Sequence, residues 1–149
     1  MEKIAKDDLP KIVDRVLEAL PRADEHPGRA VLITLSGELG AGKTTFTQAL
    51  AKKLNIAEAV QSPTYVLMKT YALSGQPFEK LVHIDAYRLN DAAEFAALNP
   101  ASFLLDESAL VVVEWPERLI GALPKPDISL SLSSEGAQEG ERYISLNRE

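Results

Sequence analysis

Apolar positions change their period twice within the first 55 residues. Leu9, Ile12, Val13, Val16, Leu17 and Leu20 recur at intervals of three and four, which predicts one helical stripe. Asp8-Leu9-Pro10 suits its start. A proline early in a helix has no N–H to leave unpaired, and an acid matches the positive end of the helix dipole. Two prolines and a glycine between Pro21 and Arg29 predict a loop. Ala30 to Leu35 is nearly all apolar, as in a strand buried on both faces of a parallel sheet. Gly37 to Thr44 interrupts it, and from Lys43 to Asn55 the period becomes helical, with Phe46, Leu50 and Leu54 on one stripe.

Further on, Thr64 to Leu73 reads as extended, Ser74-Gly75-Gln76-Pro77 as a turn and Leu81 to Asp85 as a strand, which predicts a hairpin. Asp91 to Leu98 and Ala101 to Glu107 read as short helices broken at Pro100. Leu110-Val111-Val112-Val113 is a second buried strand, running into Glu114-Trp115-Pro116. Ile128, Leu130 and Leu132 alternate with polar residues, as do Ile144 and Leu146, and polar Ser133 to Gly140 lies between them. That predicts a second, half-exposed hairpin. The sum is a single α/β domain over residues 1–149, with a mainly parallel central sheet, antiparallel flanking strands and helices on both faces.

Composition narrows the chemistry. A chain of 149 residues that is 46% hydrophobic and 26% charged can build one core, which excludes disordered and collagen-like chains. Its net charge of −6 argues against unaided binding to DNA or RNA. The absence of cysteine excludes disulfides and thiolate catalysis, and two histidines are too few for a His-rich metal site. Met1 to Pro10 has no apolar region of the kind a signal peptide needs, and no apolar run reaches the roughly 18 residues of a membrane helix. The expectation is a soluble cytoplasmic protein with no membrane partner.

Gly37-Glu38-Leu39-Gly40-Ala41-Gly42-Lys43-Thr44 fits G-x-x-x-x-G-K-[ST] at every fixed position, after a predicted strand and opening a predicted helix. Glycines let successive backbone N–H groups curl around an anion, and the helix adds its positive end. Lys43 would reach the β- and γ-phosphates of a nucleotide. The Thr44 hydroxyl would bind Mg²⁺, a hard cation that takes oxygen ligands. Glu38, Leu39, Gly40, Ala41, Gly42, Lys43, Thr44 and Thr45 form the expected nucleotide cradle. A glycine-rich turn with a solvated lysine is the plainer alternative, and the strand and helix around the motif argue against it.

Phosphoryl chemistry also needs carboxylates, to hold the metal and orient the attacking group. Asp85 and Glu114 each end an apolar strand, where ligands bind in open α/β sheets. Either fits the Walker B role, and either could instead cap the next helix. His83, two residues before Asp85, falls on the same strand face, so it could orient that carboxylate or simply be a satisfied core histidine. Trp115 follows Glu114 and suits contact with nucleotide or partner, or burial in the core. Thr64, in Ser62-Pro63-Thr64-Tyr65, suits a switch that senses the γ-phosphate, or a turn residue.

The guanine reader N-K-x-D and the switch D-x-x-G are both missing from the chain, which points to ATP rather than GTP. Its seven arginines are scattered, and only Arg88 follows a candidate acid closely, so no kinase-type acceptor clamp is evident.

Gly37 to Thr45, Ser62-Pro63-Thr64-Tyr65, His83-Ile84-Asp85-Ala86-Tyr87-Arg88-Leu89 and Val113-Glu114-Trp115-Pro116-Glu117 resemble, in order and spacing, the bacterial TsaE (YjeE) family. The resemblance implies a P-loop ATPase that uses ATP and Mg²⁺ and serves synthesis of threonylcarbamoyladenosine next to the tRNA anticodon. It implies work with TsaB and TsaD, weak hydrolysis without them, and contact with tRNA mainly through them. Lys43 and Thr44 are then the phosphate and magnesium residues, and Asp85 the magnesium-associated acid. Glu114 is then the acid beside the γ-phosphate and the metal that would polarise or position the attacking water, next to Trp115, and Thr64 falls in the switch-like segment. Ala86 departs from the pattern, since many members carry a larger apolar residue there, and residues 91–108 match poorly. A small-molecule kinase is the alternative, with a non-enzymatic ATP-dependent scaffold as a third reading.

Overall fold

Two strands of the predicted parallel core end side by side, and everything functional follows from that. The computed structural model describes residues 1–21, 25, 28–58, 60 and 67–148. In chain order the elements are β1 (Glu2–Ala5), α1 (Leu9–Ala19), β2 (Val31–Ser36), α2 (Lys43–Lys53), β3 (Met68–Ala72), β4 (Lys80–Asp85), α3 (Ala92–Ala96), α4 (Ala101–Leu104), β5 (Ala109–Glu114), β6 (Ile128–Ser133) and β7 (Glu141–Arg148). Short 3-10 turns occupy Lys6–Asp8, Ala86–Arg88 and Pro116–Leu119.

The strands form one sheet in the order β1-β7-β6-β2-β5-β4-β3. The central pairs β6/β2, β2/β5 and β5/β4 are parallel. The flanking pairs β4/β3, β6/β7 and β7/β1 are antiparallel. Both predicted hairpins are present, as β3–β4 and β6–β7.

Alternation along the central strands feeds two cores. Val31, Ile33 and Leu35 of β2 pack with Ile12, Val13 and Val16 of α1 and Phe46 and Leu50 of α2. Leu32 turns to the other face, with Val111 and Val113 of β5, Phe95 of α3 and Phe103 of α4. The helices therefore cover both faces, and because β2 and β5 are buried on both, they read as continuous apolar runs. Val13, Val16, Phe46 and Leu50 are all 0% exposed. Each such side chain stabilises the fold by about 1.5–3 kcal/mol through burial.

Differences from the sequence expectations sit at element ends. The first helix stops at Ala19 and the second at Lys53, while the two short helices shrink to Ala92–Ala96 and Ala101–Leu104. β1 was not expected. Glu2-Lys3-Ile4-Ala5 has one large apolar residue and no local strand signal; it is ordered by pairing with β7 from Glu2↔Ile144 to Ala5↔Glu141. No helix among the described residues is long and apolar enough to cross a membrane.

Candidate active site

The loop from β2 to α2 is shaped by two glycines. At Gly37 the backbone has φ 148°, and a Cβ there would lie 2.3 Å from the Leu132 carbonyl oxygen of β6, so no larger residue fits. Gly42, with φ 106°, is the N-cap of α2 and brings no side-chain cap. The first-turn N–H groups of α2 therefore have no capping side chain, the condition in which a helix start receives an anion.

A cavity of about 270 Å³ opens at this turn, lined by Lys6, Leu39, Gly40, Gly42, Lys43, Thr44, Thr45, Asp85, Tyr87, Glu114, Trp115 and Arg142. Lys43, only 5% exposed, folds back on its own loop. Its Nζ donates to the carbonyls of Gly37 at 2.5 Å and Glu38 at 2.8 Å, and lies 4.2 Å from the centre of the Trp115 ring. Burial lowers its pKa from the ordinary lysine value, and the carboxylates of Glu114, Glu38, Asp85 and Glu117 oppose that. An arriving phosphate would add to the groups that favour the ammonium.

Trp115 holds this arrangement at a backbone cost. Its φ of 60° and ψ of 53° are left-handed, which for a bulky residue costs of order 1–3 kcal/mol. Its N–H donates to Leu35 O at 3.1 Å, and its ring meets Tyr87 at a centroid distance of 5.0 Å. The strained turn sets the indole against Lys43 in the cavity lining.

The parallel register sets Asp85 directly beside Glu114, both at the carboxyl ends of their strands. The Thr44 hydroxyl donates to Glu114 Oε1 at 3.0 Å, with Oε2 at 3.2 Å. Glu114 is 2% exposed, while Asp85 is half-buried. Asp85 also accepts from the Tyr87 N–H at 3.0 Å and so caps the 3-10 turn after β4. Asp85 thus caps this turn and also lines the cavity.

His83 corrects one expectation. It is fully buried, and its Nε2 lies 2.5 Å from Glu114 Oε2, on the adjacent strand. It supports Glu114 rather than Asp85. His83 is in register with Val112 and Asp85 with Glu114, so Glu114 lies diagonally across the sheet from the ring, while the Asp85 carboxylate is engaged by the Tyr87 N–H.

The other predicted residues divide. Leu39, Gly40, Gly42, Thr45 and Trp115 line the cavity. Glu38 does not: its Oε1 accepts from Ser134 N at 2.6 Å, Ser134 Oγ at 2.9 Å and Ser133 Oγ at 3.2 Å. The Ser134 N–H and the other donors depress its pKa to about 2. Ala41 is fully buried, and its N–H donates to Glu38 O at 3.1 Å. Thr64 and the rest of Ser62-Pro63-Thr64-Tyr65 lie outside the described residues.

Sequence reasoning missed Arg142, Lys6 and Tyr87. Arg142 Nη2 lies 3.4 Å from Gly40 O and Nη1 donates to Glu141 O at 2.6 Å. Lys6 reaches the cavity because its N–H extends the β1–β7 pairing by donating to Gly140 O at 2.8 Å. No local motif marks either residue. The His-Ile-Asp-Ala-Tyr-Arg block contained Tyr87, and the shared strand end was the signal that could have found it.

The donor set suits a hard cation: a hydroxyl and two carboxylates facing a phosphate-type loop. Among the described residues no group of three or more His, Asp or Glu side chains converges as a metal centre. Magnesium held by one or two protein oxygens plus substrate phosphates needs no such group.

The family model described as threonylcarbamoyl adenosine biosynthesis protein TsaE matches residues 6–144. Curated relatives carry the name tRNA threonylcarbamoyladenosine biosynthesis protein TsaE. The one from Haemophilus influenzae is 34% identical over 72% of this chain and 65% of its own length, so the chain spans just under two thirds of that relative. The one from Bacillus subtilis is 33% identical over 85% of this chain and 75% of its own length. The one from Streptomyces coelicolor is 39% identical over 68% of this chain and 67% of its own. The crystal structure of Bacillus subtilis YdiB shares the fold, with a TM-score of 0.70 at 24% identity, covering 99% of this chain and 83% of that one.

Proposed function

The chain belongs to the TsaE family of tRNA threonylcarbamoyladenosine biosynthesis proteins, and from that premise we propose that it is a magnesium-dependent ATPase acting as an accessory subunit of this modification pathway. The observation that carries the reading is the meeting of Lys43, Thr44 and Glu114 around one cavity at a glycine-rich helix start. TsaB and TsaD are the proposed partners, and tRNA is reached mainly through them. A chain with net charge −6 has little means of gripping phosphate backbones itself. The proposed location is the cytoplasm.

ATP is the proposed substrate. The α2 start and the loop from Glu38 to Thr45 receive its phosphates. Lys43 leaves the Gly37 and Glu38 carbonyls to meet them, exchanging two neutral acceptors for anionic oxygens. Thr44 and Glu114 would hold magnesium, which would supply positive charge beside the transferring phosphoryl group. The Thr44–Glu114 hydrogen bond supports Glu114 as the Walker B-type acid. That leaves Asp85, one strand over, to orient the attacking water. Trp115 and Tyr87, in ring contact, line the same cavity.

The test is ATP hydrolysis by the purified chain, alone and with TsaB and TsaD, with Lys43→Ala as control. Stimulation by the partners that vanishes in the variant is the expected result. Unchanged turnover in the variant would remove the site assignment. Phosphate transfer to a metabolite, indifferent to the partners, would favour the kinase reading. Among the described residues Arg142 is the one arginine lining the cavity, which gives that reading no acceptor clamp.

A further inference from the structure

His83 is a fully buried titratable group on β4 that phosphate and metal binding leave unused. Its Nε2 lies 2.5 Å from Glu114 Oε2, and its Nδ1 is buried with no hydrogen-bond partner among the described residues. These facts select one form of the ring. An ionised carboxylate only accepts, so the nitrogen facing it must carry a proton. A proton on Nδ1 as well would be a buried N–H without an acceptor, which is expensive, whereas a bare Nδ1 lone pair costs less. A ring protonated on Nδ1 alone would press the Nε2 lone pair against the carboxylate.

We propose that His83 is a positioning residue: as the neutral Nε2–H tautomer it donates to Glu114 Oε2 and so holds the carboxylate against the Thr44 hydroxyl. Thr44, Glu114 and His83 then form one chain of hydrogen bonds from α2 through β5 to β4. Two donors fix the one carboxylate from different elements, Thr44 from the helix that opens at the phosphate loop and His83 from inside the sheet. Glu114 therefore enters the reaction already oriented, with little rotamer freedom left to lose. Its catalytic consequence rests on the ATPase reading; the hydrogen bond itself does not.

The chain has two histidines, His26 and His83, so a long-range proton–nitrogen spectrum of the full chain resolves both rings, and His83→Gln identifies which is which. The expected spectrum shows His83 protonated at Nε2 only, with a slowly exchanging Nε2 proton that shifts in Glu114→Gln. Protonation at Nδ1, or at both nitrogens, would overturn the proposal. Turnover gives the second arm. His83→Leu is expected to lower kcat roughly 10–100-fold, the usual loss when a supporting hydrogen bond behind a metal-side ligand is removed. The KM for ATP should change little, because Lys43 and the loop are untouched. His83→Gln, which keeps an amide N–H at the same place, should recover most of that loss. A His83→Leu variant as active as the parent, in an assay where Lys43→Ala is dead, would sink the positioning role. If Lys43→Ala stays fully active the ATPase reading fails instead, and the spectrum still decides the His83–Glu114 bond.

Discussion

The hydroxyl of Thr44, second residue of α2, donates to the carboxylate of Glu114, last residue of β5, across 3.0 Å and 70 positions of sequence. The bond ties the glycine-rich helix start to the strand end that carries an acid. It exists because β2 and β5 are parallel neighbours, so the turn leaving one strand and the acid ending the other emerge at the same edge.

That bond separates the two acids. Glu114→Gln should leave a Thr44 partner but weaken magnesium activation of turnover by at least roughly 10–100-fold. Asp85→Asn should keep the magnesium requirement near that of the parent and lose about 10²–10⁴-fold in kcat, as expected for a water-orienting base. Magnesium titrations of hydrolysis in both variants check this. The reverse pattern would exchange the two roles.

Trp115 is the only tryptophan, and Lys43 Nζ sits 4.2 Å from its ring. If ATP draws Lys43 onto its phosphates, the cation leaves the indole. Tryptophan emission should therefore change on ATP addition, with a midpoint equal to the binding constant from calorimetry. Lys43→Ala should show an altered baseline and no such response.

Gly37→Ala should be severe. The added methyl would meet the Leu132 carbonyl oxygen at 2.3 Å, and φ 148° disfavours a side chain in any case. The strain alone predicts a loss of at least about 1–3 kcal/mol in denaturant unfolding. Relief of the clash should also move the loop off β6 and weaken ATP binding. Gly136→Ala, whose Cβ would meet nothing within 4 Å, is the control for φ alone, at 75°.

Glu38 supplies a pH signature. Its pKa falls from 4.5 to about 2 because Ser134 and Ser133 hydrogen-bond the carboxylate. A depressed folded pKa contributes stability that is fully present above 4.5 and is lost as pH falls through 2. Glu38→Gln should therefore be less stable than the parent at pH 7, with the gap closing between pH 4.5 and pH 2. Thermal unfolding of both proteins across that range measures it. A gap independent of pH would mean the contact is not ionic.

The predicted elements in the core were legible because their signals are local. The stripe of α1, the double-sided runs of β2 and β5 and the alternation of β6 each follow from the burial the element acquires. The phosphate loop was legible because its glycines and lysine are adjacent in sequence. β1 was not, because four residues with one large apolar side chain become a strand only when β7 offers its edge. Arg142 and Lys6 were missed for the same reason: their place beside the loop depends on pairing between the two ends of the chain.

By itself, then, the sequence determined the α/β class, the glycine-rich turn that opens α2 and the two candidate acids, all encoded in short contiguous patterns. Tertiary structure alone decided how those parts meet. Sheet order set β5, and not β4, beside β2, which made Glu114 and not Asp85 the partner of Thr44, and side-chain packing brought His83 to the same carboxylate. A carboxylate's role depends on which donors surround it in space, and sheet order, a long-range property, selects them.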